Sequence, residues 1–288
     1  MKRFLKRRIN RFLPDALRAS VKRRFGAKFA EPVSTKFFVE ETPSALKCRI
    51  ESPEAGWSFL APVVCKNDLA NLTDTPEGRA EFQSLSRVAK TGGALFDIGA
   101  HSGLISAMFC AAQPQNQAFA FEPSPVLAER LIAIRQLNQF DERMRIEPTG
   151  IGEETTTVEM VLDPAGGFIQ AKRFDHTMWA APKPVQVRME RIQDAARRLN
   201  VIPQFIKIDI EGYEFEAIKG SIDFLSHHKP TIFLELHLNY LEERNLSAKR
   251  LIDILLKCGY GLQTSAGARL KPGEVYDSPL PIVHVIAQ

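Results

Sequence analysis

Strand-length apolar runs alternate with helical periodicity from residue 92 onward, and few folds accommodate that order. The pattern predicts strands over residues 94–98, 118–121, 144–146, 205–208, 231–234 and 282–286, and helices over residues 103–112, 125–138, 214–225 and 247–257. Such alternation favours a mostly parallel sheet with helices on both faces. Sheets of this kind bind ligands beyond the carboxyl ends of their strands. The residues that follow each strand are therefore the candidates for a functional site.

The first of these strands runs into a glycine-containing turn, LFDIGAHSG, over residues 95–103. Gly99 and Gly103 lack the side chains that would keep a ligand away from the turn, and Asp97 supplies an acceptor at the strand end. The turn does not have the Gly-x-Gly-x-x-Gly spacing of dinucleotide-binding proteins. A carboxylate is a poor neighbour for a pyrophosphate but suits a cationic amino-acid group. The turn therefore favours S-adenosylmethionine over NAD.

The second strand also ends in an acid. It reads FAFEP over residues 119–123, and Glu122 follows Gly103 by 19 residues. Rossmann-type sites place an acid about 20 residues after the glycine-rich turn, where it binds the ribose hydroxyls. We therefore predict that Glu122 binds the ribose of the cofactor.

Two later strands end in further ionisable residues. They read FIKIDIEGYE over residues 205–214 and IFLELH over residues 232–237. If these strands are parallel neighbours, their carboxyl ends bring four groups to one rim beside the cofactor: Asp209, Glu211, Glu235 and His237. Ionisable groups that converge in a cleft are candidates for catalysis.

These four motifs, in this order, resemble the FkbM family of methyltransferases. The resemblance covers about residues 92–240 and implies a Rossmann-like class I α/β fold, with a mostly parallel seven-stranded sheet and helices on both faces. It also implies S-adenosylmethionine as cofactor and, usually, O-methylation of a sugar or polyketide hydroxyl. The cofactor-binding residues expected here are Asp97, Gly99, Ala100, His101, Gly103, Glu122, Pro123, Ile151 and Asp209. Two positions depart from the family pattern: His101 stands where Asn is commoner, and residues 151–153 match the adenine-flanking loop only loosely.

The expected catalytic residues are Asp209, Glu235 and His237. An alcohol must lose its proton as it attacks the methyl group, and a positioned base typically adds ~10²–10⁴-fold to the rate. His237 is the natural base, with Asp209 or Glu235 orienting it or acting instead, and His101 is its rival. Carboxylates at strand ends also suit Mg²⁺, but the sequence has no Asp-Asp pair and we predict no metal ligand.

The residues before the alternating region divide into two parts. Residues 1–28 hold eleven Lys or Arg against one acid, and their apolar side chains recur at three- and four-residue steps. This arm is typical of a basic amphipathic helix, which either lies on a membrane surface or docks on its own domain. Residues 29–91 predict a small α+β extension, with strands near 35–40, 46–51 and 56–64 and a helix near 76–90. The methyltransferase domain is expected to span residues 92–288.

The charge distribution argues against nucleic-acid binding by the main domain. The whole chain carries +4 and residues 1–28 carry +10, so the remaining 260 residues carry −6. The four cysteines are isolated, without the spacing of a zinc site or a disulfide framework. No apolar run reaches the ~18 residues that span a bilayer. We therefore expect a cytoplasmic protein, with peripheral contact to the inner face of the membrane if the arm binds lipid.

Two other functions remain open on the sequence alone: a nicotinamide-dependent oxidoreductase, and a non-catalytic membrane-associated module that keeps the fold. The expected partner is a small-molecule or glycan methyl acceptor.

A long stretch over residues 163–184 interrupts the sheet pattern, as binding loops often do. Its aromatic side chains Phe168, Phe174 and Trp179 are candidates for stacking on a sugar face.

Overall fold

A computed structural model of the chain describes residues 47–162, 168–169 and 184–288. It opens with a hairpin and two helices: β1 (Lys47–Ser52), β2 (Trp57–Pro62), α1 (Lys66–Thr73) and α2 (Pro76–Ala89). The elements up to residue 190 are β3 (Ala94–Ile98), α3 (Leu104–Ala112), β4 (Gln117–Phe121), α4 (Pro125–Leu137), β5 (Met144–Glu147), β6 (Gly150–Ile151), β7 (Thr156–Leu162), β8 (Phe168–Ile169) and β9 (Pro184–Glu190). The remaining elements are α5 (Ile192–Leu199), β10 (Phe205–Ile208), α6 (Glu214–Lys219), α7 (Ile222–His228), β11 (Thr231–His237), α8 (Leu238–Glu243), α9 (Ala248–Lys257), β12 (Leu262–Gln263), α10 (Pro272–Tyr276) and β13 (Ile282–Ala287).

Seven strands form the central sheet, in the order β12-β13-β11-β10-β3-β4-β5. The five strands from β11 to β5 are parallel, whereas β13 and β12 pair antiparallel at one edge. Apolar clusters cover both faces of this sheet. The predicted fold class is therefore confirmed. The two-residue strand β12 was not predicted, because so short a segment carries no periodicity.

A second, four-stranded sheet has the order β6-β9-β7-β8. The sequence did not predict it, because β7 pairs antiparallel with β9 across more than twenty intervening residues. Of the three aromatic residues expected to stack on a sugar, Phe174 and Trp179 lie outside the described residues. The structure describes the backbone of Phe168, in β8, but not its side chain.

The helix predicted over residues 214–225 is divided into α6 and α7 at Gly220. A Cβ atom at this position would lie 2.6 Å from the Cα of Glu153 and 2.7 Å from the carbonyl oxygen of Gly152. The loop after β6 therefore passes against the backbone of residue 220. Ser221 then accepts a hydrogen bond from the backbone N–H of Ile192 at 3.2 Å. These contacts come from remote residues, which helical periodicity does not reveal.

The hairpin and the two helices of residues 47–91 pack on one face of the central sheet and share an apolar cluster with it. The indole N–H of Trp57 donates to the hydroxyl of Ser86 at 2.6 Å, which joins β2 to α2. The side-chain amide of Asn138 donates to the carbonyl oxygen of Leu60 and accepts from its N–H, both at 2.7 Å. This layer therefore covers the sheet face toward which Asp97, Lys207 and the other odd-numbered residues of β3 and β10 point. The strands predicted near 46–51 and 56–64 correspond to β1 and β2, and the strand near 35–40 lies outside the described residues.

A buried ion pair joins the same layer to the middle of the sheet. The ammonium of Lys207, in β10, lies 3.1 Å from the carboxylate of Glu81, in α2, and both side chains are almost fully buried. It lies 3.6 Å from Glu235, in β11. Burial alone would lower the pKa of Lys207. The negative charges of Glu81, Asp209 and Glu235 outweigh this effect and raise the pKa above its usual value, so the side chain stays charged. Burial opposes ionisation of Glu81 as well, yet Lys207 and His284 lower its pKa to about 2.

We expect Lys207→Met to lower the free energy of unfolding by roughly 3–5 kcal/mol, because it leaves the buried carboxylate of Glu81 without its lysine partner and with only the imidazole of His284 beside it. Lys219→Met is the matched control. Lys219 also pairs with a glutamate, Glu153 at 2.6 Å, but 42% of its side chain is exposed, and exposed pairs contribute about 1 kcal/mol or less. Urea unfolding at neutral pH compares the two variants. Equal losses would contradict a structural role for the buried pair.

Candidate active site

The turn after β3 is held against the end of β4 by backbone hydrogen bonds. The N–H groups of Gly99 and Ala100 donate to the carbonyl oxygen of Phe121 at 3.0 and 3.1 Å. Gly99 has φ +81° and Gly103 has φ +83°, values that favour glycine. A Cβ at Gly103 would also lie 2.5 Å from a methyl carbon of Leu131. The turn therefore needs glycine at both positions.

Gly99 also brings β3 and β10 into backbone contact. A Cβ at residue 99 would lie 2.0 Å from the carbonyl oxygen of Asp209. The N–H of Asp209 donates to the carbonyl oxygen of Ile98 at 3.0 Å. Asp209 of the motif over residues 205–214 thus lies directly beside the glycine turn, although Gly99 and Asp209 are 110 positions apart in sequence.

Asp97 is buried at the end of β3 and holds the start of α3. Its carboxylate accepts hydrogen bonds from the N–H of Ser106 at 3.1 Å and from the Ser106 hydroxyl at 2.6 Å. Burial raises the pKa of Asp97 to about 6, although these two hydrogen bonds favour the ionised form. Its contacts explain how the helix is anchored behind the turn.

Glu122 connects the end of β4 to the glycine turn. One carboxylate oxygen accepts from the N–H of His101 and the other from the N–H of Ser124, both at 2.9 Å. Burial raises the pKa of Glu122 to about 7, against the lowering effect of these two N–H donors. Pro123 follows Glu122, and Ser124 caps α4 by accepting from the N–H of Leu127. The carboxylate therefore sits at the rim where the turn and the second strand meet.

His237 lies at the centre of a group of carboxylates at the ends of β10 and β11. Its Nδ1 atom lies 2.9 Å from Glu214. Its Nε2 atom lies 3.7 Å from Glu211, 3.9 Å from Asp209 and 3.9 Å from Glu235. The structure thus brings together all four of the rim residues that the sequence singled out. Their side chains differ in exposure: 53% for Glu211, 28% for Asp209, 17% for Glu235 and 3% for His237.

The carboxylates determine the charge state of this group. Burial would lower the pKa of His237, but the hydrogen bond to Glu214 and the charge of Asp209 raise it to about 9. Burial raises the pKa of Asp209, and the negative charge of Glu235 raises it further. Negative charge is therefore in excess at the rim.

Two expected residues lie apart from this rim cluster. The imidazole of His101 is 41% exposed and lies 3.9 Å from Asp68 of α1, so it faces the layer of residues 47–91. The side chain of Ile151 is buried in the apolar cluster on the other face of the sheet. Ile151 therefore offers a ligand its backbone and not its side chain.

The sequence analysis missed four contributors to this region: Glu81, Lys207, Glu214 and His284. A lysine inside an apolar strand, as at residue 207, is a usable signal, because a buried ammonium requires an acidic partner. The identity of that partner was not readable, since Glu81 lies 126 residues away.

Two sets of side chains have the composition and spacing of metal ligands among the described residues. In the first set, ligand atoms of Asp209, Glu211 and His237 all lie within 4.8 Å of one another. The second set consists of Glu81, Glu235 and His284. The ammonium of Lys207 lies among these last groups, 3.1 Å from Glu81 and 3.6 Å from Glu235.

The sheet order, the glycine turn and the acidic strand ends are those of the class I S-adenosylmethionine-dependent methyltransferase fold. Residues 97–262 match the methyltransferase FkbM domain. This match covers more than half of the chain, and the protein belongs to the FkbM family, as the motifs indicated. The family assignment favours a methyltransferase over the nicotinamide-dependent oxidoreductase.

Several solved structures are similar to the chain. A methyltransferase FkbM from Methylobacillus flagellatus KT is 21% identical, with 68% of this chain aligned to 44% of that one and a TM-score of 0.42. A precorrin-6Y C5,15-methyltransferase from Geobacter metallireducens is 16% identical, covering 74% and 89% of the two chains, with a TM-score of 0.36. M. jannaschii TYW2, solved with AdoMet, is 12% identical, covering 86% of each chain, with a TM-score of 0.35. At these values the assignment rests on the family match.

This chain spans less than half of the Methylobacillus protein. No protein of curated function matches the sequence. No helix among the described residues is long and apolar enough to cross a membrane.

We expect Gly99→Ala to destabilise the protein and to abolish cofactor binding, because its Cβ would collide with the backbone of Asp209. Gly267→Ala is the matched control, since Gly267 has a similar φ of +85° but no atom within 4 Å of its Cβ position. Both variants bear the left-handed backbone cost of roughly 1–2 kcal/mol. Urea unfolding and calorimetry with S-adenosylhomocysteine measure the difference. If both variants behave alike, the contact between the two strand ends does not restrict residue 99.

Proposed function

We propose that this methyltransferase transfers the methyl group of S-adenosylmethionine to a hydroxyl oxygen of a sugar, a glycan or a similar secondary metabolite. The observation that carries the proposal is the position of Asp209. Its backbone touches Gly99 of the cofactor turn, and its side chain lies among Glu211, Glu235 and His237. Asp209 is therefore the residue at which the cofactor turn and the acid-base group meet.

In this proposal the turn over residues 97–103 cradles the methionine end of the cofactor, and Glu122 binds the ribose. The glycine turn presents backbone at the point where side chains would block the ligand. The Glu122 carboxylate lies beside that turn, hydrogen-bonded to the N–H of His101. Ala100 and Pro123 flank these two groups, and the backbone near Ile151 is the proposed neighbour of the adenine.

Methyl transfer forms an oxygen–carbon bond as the sulfur–carbon bond breaks, so the sulfonium becomes a neutral thioether and the acceptor loses its proton. Holding the acceptor oxygen, the methyl carbon and the sulfur in line can supply roughly 7–11 kcal/mol. Asp209 is the proposed proton acceptor, because its side chain is 28% exposed next to the turn. Glu235 is its alternative. Only the Nε2 edge of His237 faces the rim, since Nδ1 contacts Glu214, so His237 orients the carboxylates and the acceptor.

The charge at the rim favours a particular class of acceptor. Several carboxylates lie around one imidazole, so a phosphate or carboxylate next to the methyl group would be repelled. A hydroxyl-rich neutral acceptor can instead donate hydrogen bonds to these oxygens. The aromatic residues Phe168, Phe174 and Trp179 remain candidates for stacking on such an acceptor, on sequence grounds alone.

The decisive experiment is an assay of labelled S-adenosylmethionine against fractionated glycan, lipid and metabolite extracts. We expect a labelled product whose methyl group is bound to oxygen. We expect Asp209→Asn to lower turnover by about 10²–10⁴-fold, the range of general-base catalysis, with cofactor affinity changed much less. His237→Gln should also lower turnover. Wild-type turnover in both variants would contradict the catalytic assignment, and a labelled nitrogen would contradict O-methylation.

A pH titration tests the role of Glu122. The ionised carboxylate accepts hydrogen bonds from the two ribose hydroxyls better than the protonated form, and the pKa of Glu122 is raised to about 7. Affinity for S-adenosylhomocysteine should therefore rise about tenfold from pH 6 to pH 8, as one proton is lost. Glu122→Gln should bind more weakly at pH 8 and should not change over this interval. The same slope in the variant would assign the titration to another group.

Peripheral membrane contact through residues 1–28 is a further proposal from the sequence. These residues lie outside the described ones, and their charge of +10 suits an anionic lipid surface. Flotation of the full chain with anionic vesicles and with neutral vesicles tests it. We expect binding only to the anionic vesicles, and weaker binding at high salt. Equal flotation with neutral vesicles would contradict an electrostatic contact.

A further inference from the structure

We propose that Asp209, Glu211 and His237 form a binding site for a divalent metal ion at the carboxyl ends of β10 and β11. The part that the ion plays in methyl transfer, holding the acceptor hydroxyl, rests on the function proposed above. The binding of the ion does not.

The distances suit a metal site that closes slightly on its ion. The Nε2 atom of His237 lies 3.7 Å from Glu211 and 3.9 Å from Asp209. Ligand atoms at about 2.0–2.2 Å from a metal ion lie roughly 3–3.5 Å from one another. The two carboxylates must therefore move roughly 0.2–0.9 Å closer to Nε2 to coordinate the same ion, and their own ligand atoms lie within 4.8 Å of each other.

His237 is prepared as a ligand by its hydrogen bond to Glu214. The Glu214 carboxylate is fully buried, contacts Nδ1 at 2.9 Å and accepts the N–H of Gly212 at 2.9 Å. A carboxylate on one ring nitrogen fixes the tautomer and directs the other nitrogen at a metal. The His237 side chain is 97% buried, and the carboxylate oxygens facing Nε2 lie at 3.7 Å or more, beyond hydrogen-bonding distance. The Nε2 atom of this buried side chain is thus directed at the carboxylates of Glu211, Asp209 and Glu235, at 3.7 to 3.9 Å.

A second acid-acid-histidine group in the same protein provides a comparison. Glu81, Glu235 and His284 lie on the same face of the sheet, and the ammonium of Lys207 sits among them at 3.1 and 3.6 Å from the two carboxylates. In that group a side chain already supplies the cation. Around Asp209 and Glu211, no lysine or arginine of the described residues lies within 4 Å.

The formal charges of the combined region also call for a cation. The region contains five carboxylates, one lysine and two histidines: Glu81, Asp209, Glu211, Glu214, Glu235, Lys207, His237 and His284. Because a metal-bound histidine is neutral, ion binding displaces any proton on His237 Nε2. With His284 protonated, three negative charges then remain, and one divalent ion offsets two of them directly beside the reacting hydroxyl.

The donor set indicates which ion fits. Two carboxylates and one imidazole suit Mn²⁺ or Zn²⁺, whereas Mg²⁺ and Ca²⁺ prefer oxygen ligands alone. Mn²⁺ is the more informative probe, because its free form is counted directly by electron paramagnetic resonance.

The test titrates the full chain, stripped of metal with a chelator, with Mn²⁺ and measures the free ion. We expect one Mn²⁺ per chain, displaced by Zn²⁺ and not by an equal concentration of Mg²⁺. Glu211→Gln should weaken binding at least tenfold, and its exposed side chain makes a folding defect from this change minor. Glu214→Gln should weaken binding about 10–100-fold, the usual effect of losing an outer-sphere carboxylate. Glu242→Gln, an exposed acid on the neighbouring helix α8, is the control and should bind as wild type does.

Absence of a saturable site, or equal Mn²⁺ affinity in Glu211→Gln and wild type, overturns the proposal. Calorimetry with S-adenosylhomocysteine on the stripped protein separates this failure from failure of the proposed function. Cofactor binding without Mn²⁺ binding rejects only the metal site. Loss of both rejects the site as a whole.

Discussion

The contact between the backbone of Gly99 and the carbonyl oxygen of Asp209 is the interaction on which the arrangement of the site depends. Two parallel strands end side by side there, and glycine is required because a Cβ would lie 2.0 Å from that oxygen. The N–H of Asp209 completes the contact by donating to Ile98. One backbone junction therefore fixes both the glycine turn and the carboxylate of Asp209. Because each side is part of the central sheet, the two halves of the site share one rigid support.

The charges behind this junction are balanced in two steps. Lys207 offsets Glu81 and Glu235 in the interior of the protein, where an unpaired charge would be costly. Farther out, Asp209, Glu211 and Glu214 surround the imidazole of His237 and leave negative charge in excess. Pairing of Lys207 needs the helix α2, which supplies Glu81. The layer of residues 47–91 therefore neutralises a buried charge of the sheet and also packs against its apolar face. Residues 47–91 therefore pack with the central sheet as one unit, although the FkbM match begins only at residue 97.

The sequence predicted what depends on local pattern. Six of the central strands were predicted within a few residues, because each is a short apolar run, and four strand ends carried the acids that mark the rim. It did not predict the pairing of β7 with β9, the break at Gly220 or the partner of Lys207. Each of these depends on residues far away in the chain, such as Glu153 against Gly220 and Glu81 against Lys207. The apolar pattern of the strands reveals that a lysine is buried, but not which acid accompanies it.

The junction at residue 99 also limits how relatives of this enzyme can diverge. Since the glycine turn and Asp209 are joined through backbone, neither can shift without the other. A change of substrate must therefore arise in segments that border the acidic group and leave the strand ends in place. Substitutions there can alter the shape presented to a new acceptor while the donor remains aligned. On the proposed function, this division between a fixed junction and replaceable surroundings would let one scaffold serve different hydroxyl acceptors.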